Sequence, residues 1–439
     1  MPQSTRRKTG RLDGQTRLLL LVNSLFACAN ALSGAFVNVY LWKAKQDFAM
    51  IGWFALTHQI VMATTFIVAG KWVKEGNKMN TLRLGVAMSA LFYLIVLLLG
   101  PNAPYWVVAL GIVQGLSSAF FWLAFNVIYF EVTERDNRDR FNGWAGLLGS
   151  AVGMAAPWIS GYLITRMPGT TGYRLIFSIS LGVFVIGAIV SFFLKKRPAL
   201  PDYKWTYGIR QLRQAGNPWR SAFPALMAQG VREGVFGFLI GLMVYIATRN
   251  ELKLGNYALI TSAVSLVAFF IAGRLVKPGR RSLPMFIGAL AISLIILPFF
   301  WRINYTTLLL FGVVVASFFP LYSIPVTSSI FDMIGETRES AEHRVEYVIL
   351  RETALNSGRI LGTLAFIAVV SYTTKPAYIT TLMFVLGSSP LVSWFFIRKL
   401  LAGDRGDGRN SGGGQREGLK DAPAPRLPFF APGRKQPAR

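Results

Sequence analysis

Long apolar stretches, each broken by a short polar segment, run through almost the whole chain. Twelve of them are about 20 residues or longer: 17–42, 49–70, 80–100, 104–130, 142–165, 174–194, 219–247, 255–274, 282–301, 305–331, 345–372 and 376–397. A helix needs about 20 mostly apolar residues to cross a bilayer core, because it rises about 1.5 Å per residue. The pattern therefore predicts an all-α membrane protein with twelve transmembrane helices. Two of the stretches, 219–247 and 345–372, carry several ionisable residues within an otherwise apolar run.

The polar segments alternate in charge. On one side of the predicted membrane they hold 35 Lys and Arg residues, on the other 8, and three more arginines lie inside spans, Arg232, Arg351 and Arg359. Cytoplasmic loops are the basic ones, so both termini and the central loop are expected in the cytoplasm, with the chain in a bacterial-type inner membrane. The expected organisation is an N-terminal segment 1–16, a six-helix bundle over 17–194, a central loop 195–218, a second six-helix bundle over 219–400, and a basic tail over 401–439. The tail is rich in Gly and Pro and has no core-forming pattern, so disorder is expected there, with its basic groups near lipid headgroups. Arg6, Arg7 and Lys8 followed by Ala27-Cys28-Ala29 imitate a leader with a cleavage site, but the apolar run continues to Trp42, too long for a leader core of about 7–15 residues.

Composition narrows the classes. Charged residues make up 15% of the chain and hydrophobic ones 53%, whereas soluble domains carry about 25% charged residues. The net charge of +26 is spread between apolar runs, so no nucleic-acid partner is expected. One cysteine, Cys28, excludes an intrachain disulfide, and two histidines, His58 and His343, exclude a multi-histidine metal site. The acids Glu131, Glu134, Asp136 and Asp139 alternate with Arg135, Arg138 and Arg140, the pattern of a solvated loop. No phosphate-binding Gly-x4-Gly-Lys-Ser/Thr loop occurs. Neither a cofactor, a metal nor an enzyme activity is expected.

The chain repeats itself at an offset of 203 residues. The end of span 2, from Phe66 to Lys78, matches the end of span 8, from Phe269 to Arg281, at six of thirteen positions. The same offset pairs Arg17 with Arg220, Asn30 with Glu233 and Gly34 with Gly237. Spans 4 and 10 also echo, Phe120-Phe121-Trp122-Leu123 against Phe318-Phe319-Pro320-Leu321, and each ends in a Phe-acid pair, Phe130-Glu131 and Phe331-Asp332. Two similar halves of six spans are a transporter design, with the substrate site between them near the midplane.

The element after spans 2 and 8 resembles the loop signature of the major facilitator superfamily: Gly70, Lys74, Gly76 and Lys78 in one copy, Gly273, Lys277, Gly279, Arg280 and Arg281 in the other. The family places an acid where Lys74 and Lys277 stand, so its acidic gating contact does not carry over. Gln114-Gly115 in span 4 resembles a proton-antiporter signature, with Gly111 in place of its arginine. Gly149, Gly153, Pro157 and Gly161 in span 5 resemble the Gly- and Pro-rich antiporter helix, and equally suit plain helix packing. The resemblance covers about residues 17–400 and implies two pseudo-symmetric halves working by alternating access, with spans 1, 4, 7 and 10 lining the cavity.

Candidate chemistry lies where charge enters the membrane, since such groups are costly and face a partner or a cavity. Span 7 carries Arg232 and Glu233, beside a stripe of Gly230, Gly234, Gly237 and Gly241 suited to close helix approach. Span 11 carries Glu352, Asn356 and Arg359 on one face, with Arg351 and Tyr347 beside it. A structural ion-pair network and a proton or substrate site are both open readings of these groups. Asn30 is the pseudo-symmetric partner of Glu233, Asn126 in span 4 is a further cavity candidate, and Pro320 and Pro325 interrupt span 10 or merely kink it. The resulting expectation is proton-coupled export of a small amphipathic molecule. Uptake or lipid movement on the same fold, and a non-transporting sensor or scaffold, are the alternatives.

Overall fold

The structure is a computed structural model, described for residues 12–132, 135–196, 199, 202–277, 279–335 and 342–403. The expected basic tail and most of the N-terminal segment lie outside these residues, as do the side chains of Glu134, Arg135, Asp136, Arg138 and Asp139.

Helices form at all twelve apolar stretches. Spans 1 to 6 are Gly14–Lys45, Phe48–Glu75, Lys78–Leu99, Val107–Val132, Arg135–Arg166 and Thr171–Ser191. Spans 7 to 11 are Trp219–Thr248, Glu251–Leu275, Ser282–Leu294 continued by a short 3-10 turn Leu297–Phe300, Tyr305–Gly335, and Arg344–Tyr372. Span 12 is built from Pro376–Gly387 and Ser389–Gly403, and a short helix Tyr207–Arg213 lies in the central loop. Between Lys78 and Tyr129 helical structure is nearly continuous for 52 residues. That is well over twice what one crossing needs. Gly100, at φ 51°, and the 3-10 segment Gly100–Trp106 turn the chain there into two spans. Span 10 stays helical through both Pro320 and Pro325, so no interruption occurs.

Helix ends are fixed by short polar side chains. Asp47 caps span 2 by accepting from the amides of Ala49 and Met50, and Asn250 caps span 8 through Lys253. The residues just before these caps, Gln46 and Arg249, are both left-handed, at φ 53° and 50°. Each closes its helix by donating its amide to the carbonyl four residues back, of Trp42 and Tyr245. Both corner pairs lie 203 residues apart, so the repeat is a repeat of backbone geometry.

Helix pairing gives the architecture. Span 1 packs on spans 5 and 6, span 2 on span 4, and span 3 on spans 4 and 6. In the second half, span 7 packs on spans 11 and 12, span 8 on span 10, and span 9 on spans 10 and 12. The second set is the first with six added to each number. The halves meet where span 5 lies on span 8 and span 2 on span 11, a pair of contacts that exchanges under the same pseudo-symmetry. Gly85 of span 3 lies against the Phe121 amide of span 4, and Gly288 of span 9 against the Tyr322 amide of span 10. This equates Phe121 with Tyr322, so the sequence echo that set Phe120 against Phe318 is three residues out of step. The Phe-acid ends do correspond. Buried Lys78 pairs with Glu131, and Arg281 pairs with Asp332 at 2.5 Å.

Candidate functional site

The packing of span 7 on span 11 is set by glycine. A methyl group on Gly230 would strike the Leu355 carbonyl, and one on Gly234 the Arg359 backbone; on Gly358 it would strike the Met227 carbonyl and on Gly362 that of Val231. Two glycines on each helix therefore bring the backbones together. The stripe expected along span 7 is used only in its first half, because Gly237 has open space beside it and Gly241 meets only the Leu254 side chain at ordinary contact distance.

This seam carries the charges. Arg359 donates to Glu233 Oε2 at 2.8 Å and to Asn356 Oδ1 at 3.1 Å, and Gln229 donates to Glu233 Oε1 at 2.7 Å. Asn356, fully buried, donates to the Glu352 carbonyl at 2.9 Å, and the Glu352 carboxylate pairs with its neighbour Arg351. Thus Glu233, Glu352, Asn356, Arg359 and Arg351 form one chain of contacts across two helices. Arg232, next to Glu233, stands apart from it. Its guanidinium lies 4.6 Å from the Phe236 ring, and its Nε and Nη2 have no hydrogen-bond partner among the described residues.

The other half reaches this seam through a residue that sequence reasoning passed over. Gln59 of span 2 donates to the Gly234 carbonyl at 3.1 Å and accepts from Thr363 of span 11 at 2.9 Å. Glu233 and the contact between halves are therefore one residue apart. His58 bonds to Ser118 of span 4 at 3.1 Å, within its own half.

Asn30 is not part of this network. It donates to the Phe26 carbonyl one turn earlier and lines a cavity of about 160 Å³ inside the first half. Spans 1, 3 and 4 wall that cavity with Asn23, Gln114, Ser117, Phe92, Tyr93 and Trp122. Asn126 is half-buried on span 4 and makes no hydrogen bond among the described residues.

Each end of the bundle has an acid bridging the halves. At the end bearing the termini, Lys74 donates to Glu346 of span 11 at 2.5 Å and to the Asp202 carbonyl at 3.3 Å. Both charged side chains are almost completely buried. The central loop is drawn in: the Lys204 amide donates to Glu346 at 3.2 Å, the Tyr203 amide to Glu75 at 2.8 Å, and the Tyr203 ring covers Gly70. Burial, with the Glu346 carboxylate nearby, pushes the Tyr203 phenol up to about 12. Gly76 closes span 2 through its amide. The second copy differs. Lys277 and Gly273 are exposed, and Gly279 adopts φ 79°. At the opposite end, Glu251 of span 8 accepts from Lys43 of span 1 at 3.0 Å and Tyr173 of span 6 at 2.8 Å. Glu346 and Glu251 sit at the ends of spans, where an acid reads as a loop charge, so no sequence signal separates them from solvated ones.

The geometry agrees with the comparisons. The family model for the Major Facilitator Superfamily matches residues 19–363. An uncharacterised protein, YqgE of Bacillus subtilis (strain 168), is 38% identical over 382 residues, covering 87% of this chain and 89% of that one. An uncharacterised Geobacillus stearothermophilus protein, from the region 3' of sodM, is 42% identical over 160 residues, 36% of this chain and 75% of its own. Among solved structures, a point mutant of the nucleoside transporter NupG superposes with a TM-score of 0.67 at 15% identity, covering 88% of this chain and 99% of that one. A bacterial homologue of the iron transporter ferroportin, in an outward-facing state, gives 0.60 at 14% identity, covering 88% and 98%. With two halves of six spans and this match over most of its length, the chain belongs to the major facilitator superfamily and is a secondary transporter, not an enzyme.

Proposed function

We propose that the protein exports a small amphipathic molecule in exchange for protons, with Glu233 as the coupling carboxylate. The observation that carries this reading is the ion pair between Glu233 and Arg359, halfway along span 7. An ionised Glu233 holds the guanidinium. A protonated one gives up the charge-assisted bond, and Arg359 is released. The next residue, Gly234, offers the carbonyl that binds Gln59 of the other half. Loss of charge at Glu233 thus acts beside a contact that must break when the halves rock apart. The aromatic and amide lining of the Asn30 cavity suits an amphipathic cargo. The end bearing both termini faces the cytoplasm, on the strength of its excess of basic loop residues. The solved neighbours are a nucleoside transporter and a bacterial homologue of an iron transporter, so the shared fold does not name the cargo.

Proteoliposomes loaded with a pH-sensitive dye test this, challenged with cationic drugs, sugars, amino acids and anionic lipids. A cargo-triggered proton flux that disappears in Glu233→Gln is expected, with a smaller loss in Glu352→Gln. Cargo movement with no proton movement, or full flux in Glu233→Gln, would sink the proposal.

A further inference from the structure

Within spans 7 and 11, away from their ends, the described charges are three arginines and two glutamates. Glu233 is held by Arg359 and Glu352 by Arg351. Arg232 is the cation left over, 8% exposed and without a hydrogen bond to any described residue. A buried guanidinium with no hydrogen bond of its own, whose adjacent acid Glu233 is already held by Arg359, is unfavourable in a low-dielectric interior, so the site calls for an anion.

The unpartnered atoms are informative. Nε and Nη2 form the side edge of the guanidinium, whose two parallel N–H groups match the two oxygens of a carboxylate or phosphate. Tyr322 of span 10 lies within electrostatic reach of Arg232, and its buried hydroxyl has only the Ser393 hydroxyl of span 12 beside it. Glu233 and Tyr257 of span 8 are within the same reach. Polar groups of three helices of the second half thus lie around Arg232, while Phe236, under the Arg232 guanidinium and stacked on Phe311 at 5.9 Å, supplies apolar surface. The repeat sharpens the point. Ala29, fully buried, holds the position equivalent to Arg232, and Phe121 that of Tyr322. The first half is apolar at the place where the second half gathers donors.

We infer that Arg232 and Tyr322 form a binding site for an amphipathic anion, a carboxylate or phosphate on an apolar body. This rests on the transporter reading above for the anion to be cargo, but the site itself does not.

The test uses the full-length purified protein and its thermal unfolding midpoint. The probes are octanoate, its neutral counterpart octanamide and its cationic counterpart octylamine. Octanoate is expected to raise the midpoint saturably while the other two do not. Arg232→Gln should weaken the octanoate affinity by about tenfold or more, the usual scale for a charge-assisted pair. Arg232→Lys should weaken it several-fold, because a point charge replaces the fork, and Tyr322→Phe less. Equal stabilisation by octanamide, or unchanged octanoate affinity in Arg232→Gln, overturns the site. If Arg232→Gln does not fold, unchanged affinity in Arg232→Lys does the same. Repeating the titration in phosphatidylcholine nanodiscs with and without phosphatidylglycerol identifies the source of the anion: Arg232-dependent stabilisation by phosphatidylglycerol assigns the site to a lipid headgroup. Glu233→Gln should keep its octanoate response while losing proton flux, which separates failure of this site from failure of the coupling proposal.

Discussion

The two halves of this transporter share one helix-pairing scheme and a base–acid pair at matching span ends, Lys78 with Glu131 and Arg281 with Asp332, and little else of their interior chemistry. Away from the span ends, the first half is held inside by neutral groups. Ser33 meets Ser180, Ser89 meets Ser117, and His58 meets Ser118. Aromatic stacking fills the remainder, as where Phe26 lies on Phe121. The second half places five charged side chains along one glycine seam. The glycine contact of Gly85 and Gly288 and the capped corners recur at matching positions, so this part of the backbone scheme is indifferent to what the side chains do. Architecture and chemistry have separated between the halves: one keeps a small amide-lined cavity, and the other keeps the ions in the middle of its spans.

The sharpest way to break this comparison is at the loop after each half's second span. Glu346→Ala leaves Lys74 charged and buried, a loss of roughly 3–5 kcal/mol by analogy with other broken buried pairs. Its measurement is the thermal midpoint in detergent. Lys277→Ala, at the equivalent exposed position, should change stability by no more than about 0.5 kcal/mol. Equal effects would mean that the two loops are not different after all.

A smaller effect separates a span 11 glycine inside the seam from a span 7 glycine outside it. Gly358→Ala forces a methyl against the Met227 carbonyl and should cost about 1–3 kcal/mol or more by overpacking. Gly237→Ala enters open space and should gain up to about 1 kcal/mol from helix propensity. Reversal of either sign in chemical or thermal unfolding would show that the seam lies elsewhere.

The smallest effect is a pH dependence confined to the seam at the terminal end. The Tyr203 phenol is raised to about 12, above its ordinary value near 10. Folding therefore favours its neutral form. The stability this contributes is fully present below about pH 10 and is lost as pH rises through the folded value near 12. Comparing unfolding midpoints between pH 9 and 12, wild type should fall more steeply than Tyr203→Phe, and parallel curves would remove Tyr203 from the account.

Much of the fold was legible because membrane helices announce themselves locally. An apolar run of sufficient length has few alternatives, and the offset of 203 residues found the halves; the left-handed corners at Gln46 and Arg249, seen only in the structure, fall on the same offset. The candidate charges in spans 7 and 11 were legible for the same reason, since an ion inside an apolar run is conspicuous. Partners were not legible. Gln59, Glu251 and Glu346 matter through residues far away in sequence, and nothing local distinguishes them. Asn30 was set beside Glu233 by symmetry alone, yet a shared position in a repeat means a shared backbone and not a shared contact. The glycine stripe extended too far because spacing shows which residues share a face, while the crossing angle decides where two helices part.

The glycine seam also bears on how this chain can change over generations. At Gly230, Gly234, Gly358 and Gly362, every substitution adds atoms where a neighbouring backbone already stands, so those four sites are nearly closed to variation. The walls of the Asn30 cavity have free volume of about 160 Å³ to spare and support no ion pair. With cargo held in this cavity, as proposed, its walls are the part free to change, and a mutant library aimed at altered selectivity starts on spans 1, 3 and 4.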